Sequence, residues 1–174
     1  MPLTDAPYLA MALNNAWANA TFFRAASALN DTAFSAPRPG FFASLCRTLN
    51  HIYEVDLYYI DALAQGGKGR SVFQREDIFS VRNLAAAQAA SDTVFANFCS
   101  ALTPDTLRSI RETERQTGFV TERVDALILH LVQHQIHHRG QAHVQLQDAG
   151  IDTPQLDDFY LEFGRVPSAQ EYWT

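Results

Sequence analysis

Apolar residues recur along most of the chain at the three- and four-residue spacing of amphipathic helices. Breaks in that spacing mark out four long segments. From about Ala6 to Leu29 the chain is rich in Ala, Leu, Met and Phe, has no Gly, and confines Pro7 to the first turn. Asp5 supplies a side chain suited to the N-cap of this helix. Asn30-Asp31 and then Pro37-Arg38-Pro39-Gly40 interrupt the pattern. A second helix is predicted from about Phe41 to Gln65, stopped by Gly66-Gly67-Lys68-Gly69. A third is predicted from about Ser80 to Ala101. A fourth is predicted from about Thr121 to Asp148, with Gly150 just past its end. Residues 103–120 mix charged and apolar positions around a single Gly118. A short helix, an extended arm and a hairpin all fit there, and the partial alternation favours extended structure. The tail, with Pro154 and Pro167, is expected to wrap the surface and add one helical turn.

Four long helices with little strand potential predict an all-α four-helix bundle, one domain over residues 1–174. No internal repeat, low-complexity tract or linker divides it. The net charge of −6 and the scattered placement of 13 Lys and Arg argue against nucleic acid as a partner, since phosphate neutralisation needs a basic patch. The first residues lack the basic and apolar regions of a signal peptide. No apolar run approaches the roughly 20 residues of a membrane span. Cys46 and Cys99 form no CxxC and make no disulfide framework. Each reads as a buried small hydrophobe, and a reducing cytoplasm is the expected location.

Histidine changes the picture. Five of the six histidines fall in HLVQHQIHHRGQAH, residues 130–143. Two histidines four residues apart on a helix lie one turn apart on one face and can reach a single ion. His130/His134 and His134/His138 both have that spacing. At about 100° per residue, Leu127, Leu131, His134, His138, Gln141 and Gln145 form one inward stripe. His130 and His137 sit at its edge, and His143 points almost opposite, toward solvent. On the second helix, Ser44, Thr48, His51, Val55, Tyr58 and Ala62 form a similar stripe. Imidazole is a common ligand of divalent transition metals, and His51, His134 and His138 are the candidate set. The absence of HExxH argues against a zincin protease. Spacing alone does not bring His51 to the other two.

Three stretches resemble the DinB/YfiT-like family of metalloenzymes. MALNNAWANATFF resembles the family's opening Asn–x–Trp–Ala–Asn segment. PRPGFFASLCRTLNHIYEVDLYYIDAL resembles its Leu–Asn–His–Ile block, with an Asp five residues after the His. LILHLVQHQIHHRGQAHVQLQDAGIDTPQLDDFYL resembles its His–His–Arg–Gly–Gln motif and Pro–x–Leu–Asp tail. The resemblance covers most of the chain. It implies a four-helix bundle that forms a homodimer and binds a divalent metal through His51, His134 and His138. Around them, Gln141 is either a group that holds an imidazole or a polar residue at the bundle edge. Arg139 points away and is expected in a structural ion pair. Gly140 suggests close approach of another helix or chain. Tyr58 is either core or pocket wall, and Glu54 either orients an imidazole or faces solvent.

Three histidines leave coordination positions open, as catalytic sites do. The expected function is a metal-dependent enzyme that activates a thiol or water for attack on a small electrophile, in the manner of thiol transferases. Zn, Ni or Fe would be the cofactor, and a low-molecular-weight thiol a co-substrate. The alternatives are a hydrolase or a non-catalytic metal-binding or stress-response dimer. A fourth ligand, His130 or His137, would favour the non-catalytic reading.

Overall fold

Pro7 in the first turn and the Gly-free, Ala-rich run after it produce α1, Pro7–Ala26. The computed structural model of the protein describes residues 6–173. Asp5, expected as the cap of α1, lies outside them; the position before the helix is Ala6, which makes no side-chain cap bond. The break at Asn30-Asp31 starts a short helix, α2, Asp31–Ser35: Asn30 Oδ1 accepts the Ala33 N–H at 2.8 Å. The next helix, α3, is Leu45–Ala64. It begins four residues after Phe41 because Ser44 caps it, accepting the Arg47 N–H at 3.2 Å. Gln65, with φ 57° and ψ 39°, turns the chain out of α3. A 3-10 helix over Gly69–Gln74 follows, then α4, Val81–Ser100.

Residues 103–120 hold both a helix and a hairpin. Thr103 caps α5, Pro104–Arg108. The strands β1, Ile110–Arg115, and β2, Gly118–Arg123, then pair antiparallel, with Arg115 opposite Gly118 across a Gln116-Thr117 loop. Gly118 has φ +120°, which a side chain rarely tolerates. The chain runs from β2 into α6, Val124–Asp148. That is why α6 starts three residues after Thr121. The tail adds α7, Pro167–Gln170.

The four long helices form a ring in the order α1, α4, α3, α6. Their interior falls into two apolar blocks. One includes Tyr58, Leu63, Phe95, Leu127 and Ile128. The other includes Phe22, Leu45, Leu49, Leu84 and Leu146. On every helix the two blocks occupy different lengths of sequence, and Asn15 and Asn19 on α1, Gln88 and Asp92 on α4, and Gln135 and Arg139 on α6 fall between them. The hairpin is pinned to α3: Arg111 Nε donates to the Leu63 carbonyl at 2.9 Å, Arg115 Nη1 to Tyr59 Oη at 3.1 Å, and Tyr58 Oη to the Glu114 carbonyl. The tail seats on α1, where Trp17 and Phe159 are fully buried together and Trp17 Nε1 donates to Ser168 Oγ at 3.1 Å. No helix among the described residues is long and apolar enough to cross a membrane. Cys46 and Cys99 are both free and buried, and burial pushes the Cys99 thiol up to about 12.

Candidate metal centre

The two stripes read from the sequence face each other across the α3–α6 seam. Thr48 Oγ1 donates to Gln145 Oε1 at 2.7 Å. One turn further along α3, His51 meets the pair on α6. His51 Nε2 and His134 Nε2 stand 3.1 Å apart. The His138 ring centroid lies 4.6 Å from that of His51 and 4.4 Å from that of His134. One nitrogen from each of the three rings lies within 4.8 Å of the other two, so the set could hold a metal ion.

The surroundings keep these imidazoles neutral. Burial, then the neighbouring His138, lowers the His51 pKa to about 4. Burial, then His138 and His51, lowers His134 to about 3. His138 is also lowered by burial, against the opposing hydrogen bond from Gln141. Neutral imidazole is the form that ligates a metal. Gln141 is bonded to two histidines: its Oε1 lies 2.9 Å from His138 Nδ1 and its Nε2 lies 3.1 Å from His137 Nε2. With Oε1 as acceptor, Nδ1 of His138 carries the proton and Nε2 keeps its lone pair free. Phe42 covers the cluster, its ring 4.5 Å from that of His51. The Phe42 carbonyl accepts from Gln145 Nε2 at 2.8 Å.

The other histidines stand apart. His130 is exposed and meets the Tyr59 ring edge-on, 6.4 Å from the His134 ring. His137 is exposed and engaged by Gln141. His143 is not the solvent-facing residue its phase suggests. It is half-buried, with Nε2 3.0 Å from the Pro154 carbonyl, because the tail folds back over that face of α6. Glu54 is half-buried near Arg75, Asp77 and Arg47 rather than on an imidazole. Tyr58 is buried and also forms a cavity wall.

Arg139 corrects the expectation of an ion pair. Its Nη1 donates to Asn15 Oδ1 and Asn19 Oδ1, both at 2.8 Å, and no carboxylate lies within 4 Å of it among the described residues. Burial lowers its pKa to about 10. It belongs to a polar belt drawn from all four long helices. Asn19 Nδ2 donates to Asp92 at 3.0 Å, and Gln88 Nε2 donates to Asp92 at 3.1 Å and to Asp56 at 2.6 Å. Gln135 Nε2 also donates to Asp56. The belt was missed in the sequence, although a signal exists. Asn15/Asn19, Gln88/Asp92 and Gln135/Arg139 are each polar pairs four residues apart on otherwise inward-facing stripes. Gly140 meets no atom within 4 Å of a built Cβ, so close approach within this chain does not explain it.

The comparisons with known proteins agree with this architecture. No curated protein matches the chain. The chain is similar in fold to the crystal structure of a DinB-like protein from Bacillus cereus. The two share 21% identity and a TM-score of 0.63, over 80% of this chain and 90% of the other. The sequence model of the DinB family matches residues 4–169, and the chain belongs to that family.

Proposed function

We propose that this protein is a metal-dependent enzyme whose His51, His134 and His138 hold one divalent ion and whose chemistry is the attack of a thiol, or of water, on a small electrophile. The convergence of three neutral imidazoles beside a cavity carries this reading. The donor set fits an ion. Nitrogens 2.0–2.1 Å from a tetrahedral metal stand about 3.3 Å apart, close to the 3.1 Å between His51 and His134. His134 Nδ1 is buried without a partner among the described residues, which leaves the ring's bonding to its Nε2 side.

A divalent metal there supplies Lewis acidity, lowering the pKa of a thiol or water brought to it. The chain's own residues do the rest. Gln141 fixes the His138 tautomer, Phe42 limits water above the cluster, and the cavity walls orient the second reactant. His130 and His137 are engaged by Tyr59 and Gln141, which supports an open position over a closed structural site.

Elemental analysis of protein purified without a histidine tag tests the ligand set. About one metal per chain is expected. His51→Ala and His138→Ala should each remove it while the far-ultraviolet circular dichroism stays helical. Unchanged metal content in either variant would sink the assignment. A thiol panel then tests the reaction: metal-loaded protein with glutathione, bacillithiol, mycothiol or cysteine and a generic electrophile. Turnover with one thiol supports the transferase. Turnover without thiol indicates a hydrolase, and none with any indicates a non-catalytic metal protein.

A further inference from the structure

Beside the histidines the chain holds two cations that lack acidic partners. A cavity of about 250 Å³ lies between α3, the 3-10 helix, the hairpin and α6. His134 and His130 line it from α6, Arg70 from the 3-10 helix and Arg115 from β1. A run of contacts links the far wall to the metal cluster. Arg115 Nη1 donates to Tyr59 Oη at 3.1 Å, the Tyr59 ring is 4.9 Å from His130, and His130 is 6.4 Å from His134. Neither Arg70 nor Arg115 has a carboxylate within 4 Å among the described residues; the four ion pairs there use Arg38, Arg47, Arg108 and Arg123. The hydrogen bond to Tyr59 is the main cause that raises the Arg115 pKa, and Glu122 adds to it without contacting the guanidinium. Glu114, the acidic residue of the lining, turns its Oε2 onto the Arg70 backbone N–H at 2.8 Å.

We propose that this cavity is an anion subsite. It takes the carboxylate of a small organic acid on Arg70 and Arg115 while the reacting end of the same molecule reaches the histidine cluster. The proposal rests on the reading of that cluster as a metal site and names the substrate class it serves. Guanidinium forks match a carboxylate with paired, charge-assisted bonds. Two guanidiniums against one carboxylate leave a positive surplus for an incoming anion. The side chains are held over aromatic rings, Arg115 at 5.7 Å from the Tyr59 centroid and Arg70 at 5.8 Å from that of Phe73. A volume of 250 Å³ is about eight times the share of one molecule in liquid water. It admits an acid of a few carbons.

The test uses 3-mercaptopropionate and its neutral analogue 3-mercapto-1-propanol, titrated into metal-free and zinc-loaded protein. Nitrogen-15 NMR follows the Nε–Hε groups of Arg70 and Arg115. The acid should shift both signals in both forms and bind about tenfold more tightly than the alcohol. Arg70→Met and Arg115→Met, each checked for folding by circular dichroism, should each remove most of that preference and leave the zinc content unchanged. Equal binding of acid and alcohol to the wild type overturns the subsite, as does wild-type affinity for the acid in both variants. The two readings fail separately. Acid preference in metal-free protein that takes up no zinc sustains the subsite and removes the metal. Zinc uptake without acid preference does the reverse.

Discussion

Two polar clusters stand back to back on α6. His134 and His138 face α3, while Gln135 and Arg139, each one residue later and about 100° further round, face the bundle interior. In the histidine cluster the ring nitrogens crowd together, His51 Nε2 and His134 Nε2 3.1 Å apart, and His134 Nδ1 has no partner among the described residues. In the belt nearly every polar group answers another, with Asp56 Oδ1 and Gln88 Oε1 as exceptions. Burial also acts unequally on the two carboxyls of the belt. Burial, then Asp92, holds the Asp56 pKa well above the carboxylate range, while Asp92 is raised by burial only to about 6. Burial therefore disfavours a charge on Asp56, and the Asp92 carboxylate meets the Arg139 guanidinium through the shared amides of Asn15 and Asn19. A satisfied network fixes which helices meet and in what register. A set of converging ring nitrogens could hold an ion from outside.

That contrast can be broken. The largest effect is expected from Arg139→Leu, which leaves the Asp92 charge buried without its cation. Chemical denaturation should show a loss of about 3–5 kcal/mol, while metal per folded chain stays at the wild-type level. Loss of metal in step with stability would mean that the two clusters are one.

Next comes pH, where the clusters act in opposite directions. The Asp92 pKa in the folded chain, about 6, lies above its ordinary 3.8. The stability it contributes is therefore present below pH 3.8 and lost as pH rises through 6. The histidines, lowered to about 4 and about 3, contribute stability that is present above 6.5 and lost as pH falls through those values. In metal-free protein, Asp92→Asn should gain on the wild type as pH rises from 4 to 6, by up to about 3 kcal/mol, and then level off. Urea denaturation across that range measures it, and a pH-independent difference would contradict the assignment. The smallest effect belongs to Gln141→Ala. Metal affinity should fall about ten- to a hundredfold in competition with a chelator, with the metal-free stability changed by under about 0.5 kcal/mol. Unchanged affinity would reduce Gln141 to a surface contact.

The His134/His138 pair was legible because its spacing is local, and the family resemblance joined His51 to it. His134 and His138 share a helical face whatever surrounds them, and His51 lies on a stripe of the same kind. The helices were legible to within a few residues, and their ends differed where a cap or a strand intervened, as at Ser44 and at β2. The belt was not read. Its i, i+4 pairs lie on inward-facing stripes, but their partners come from other helices that no local spacing names, and Arg139 without its amides suggests an ion pair. The solvent-facing reading of His143 failed because nothing local to α6 says where the tail returns. Arg70 and Arg115 lie in segments without helical period, and only the hairpin register brings Arg115 over Tyr59.

The hairpin between α5 and α6 has one more consequence. It carries none of the three histidines, yet Glu114 and Arg115 wall the cavity beside them. It holds to α3 largely through backbone carbonyls and the Tyr59 hydroxyl. On the proposed reading, reactivity and selectivity sit on separate stretches of chain. A lineage, or an engineer, can rewrite the strand and its two-residue loop to accept a different molecule while the scaffold that holds the imidazoles stays as it is.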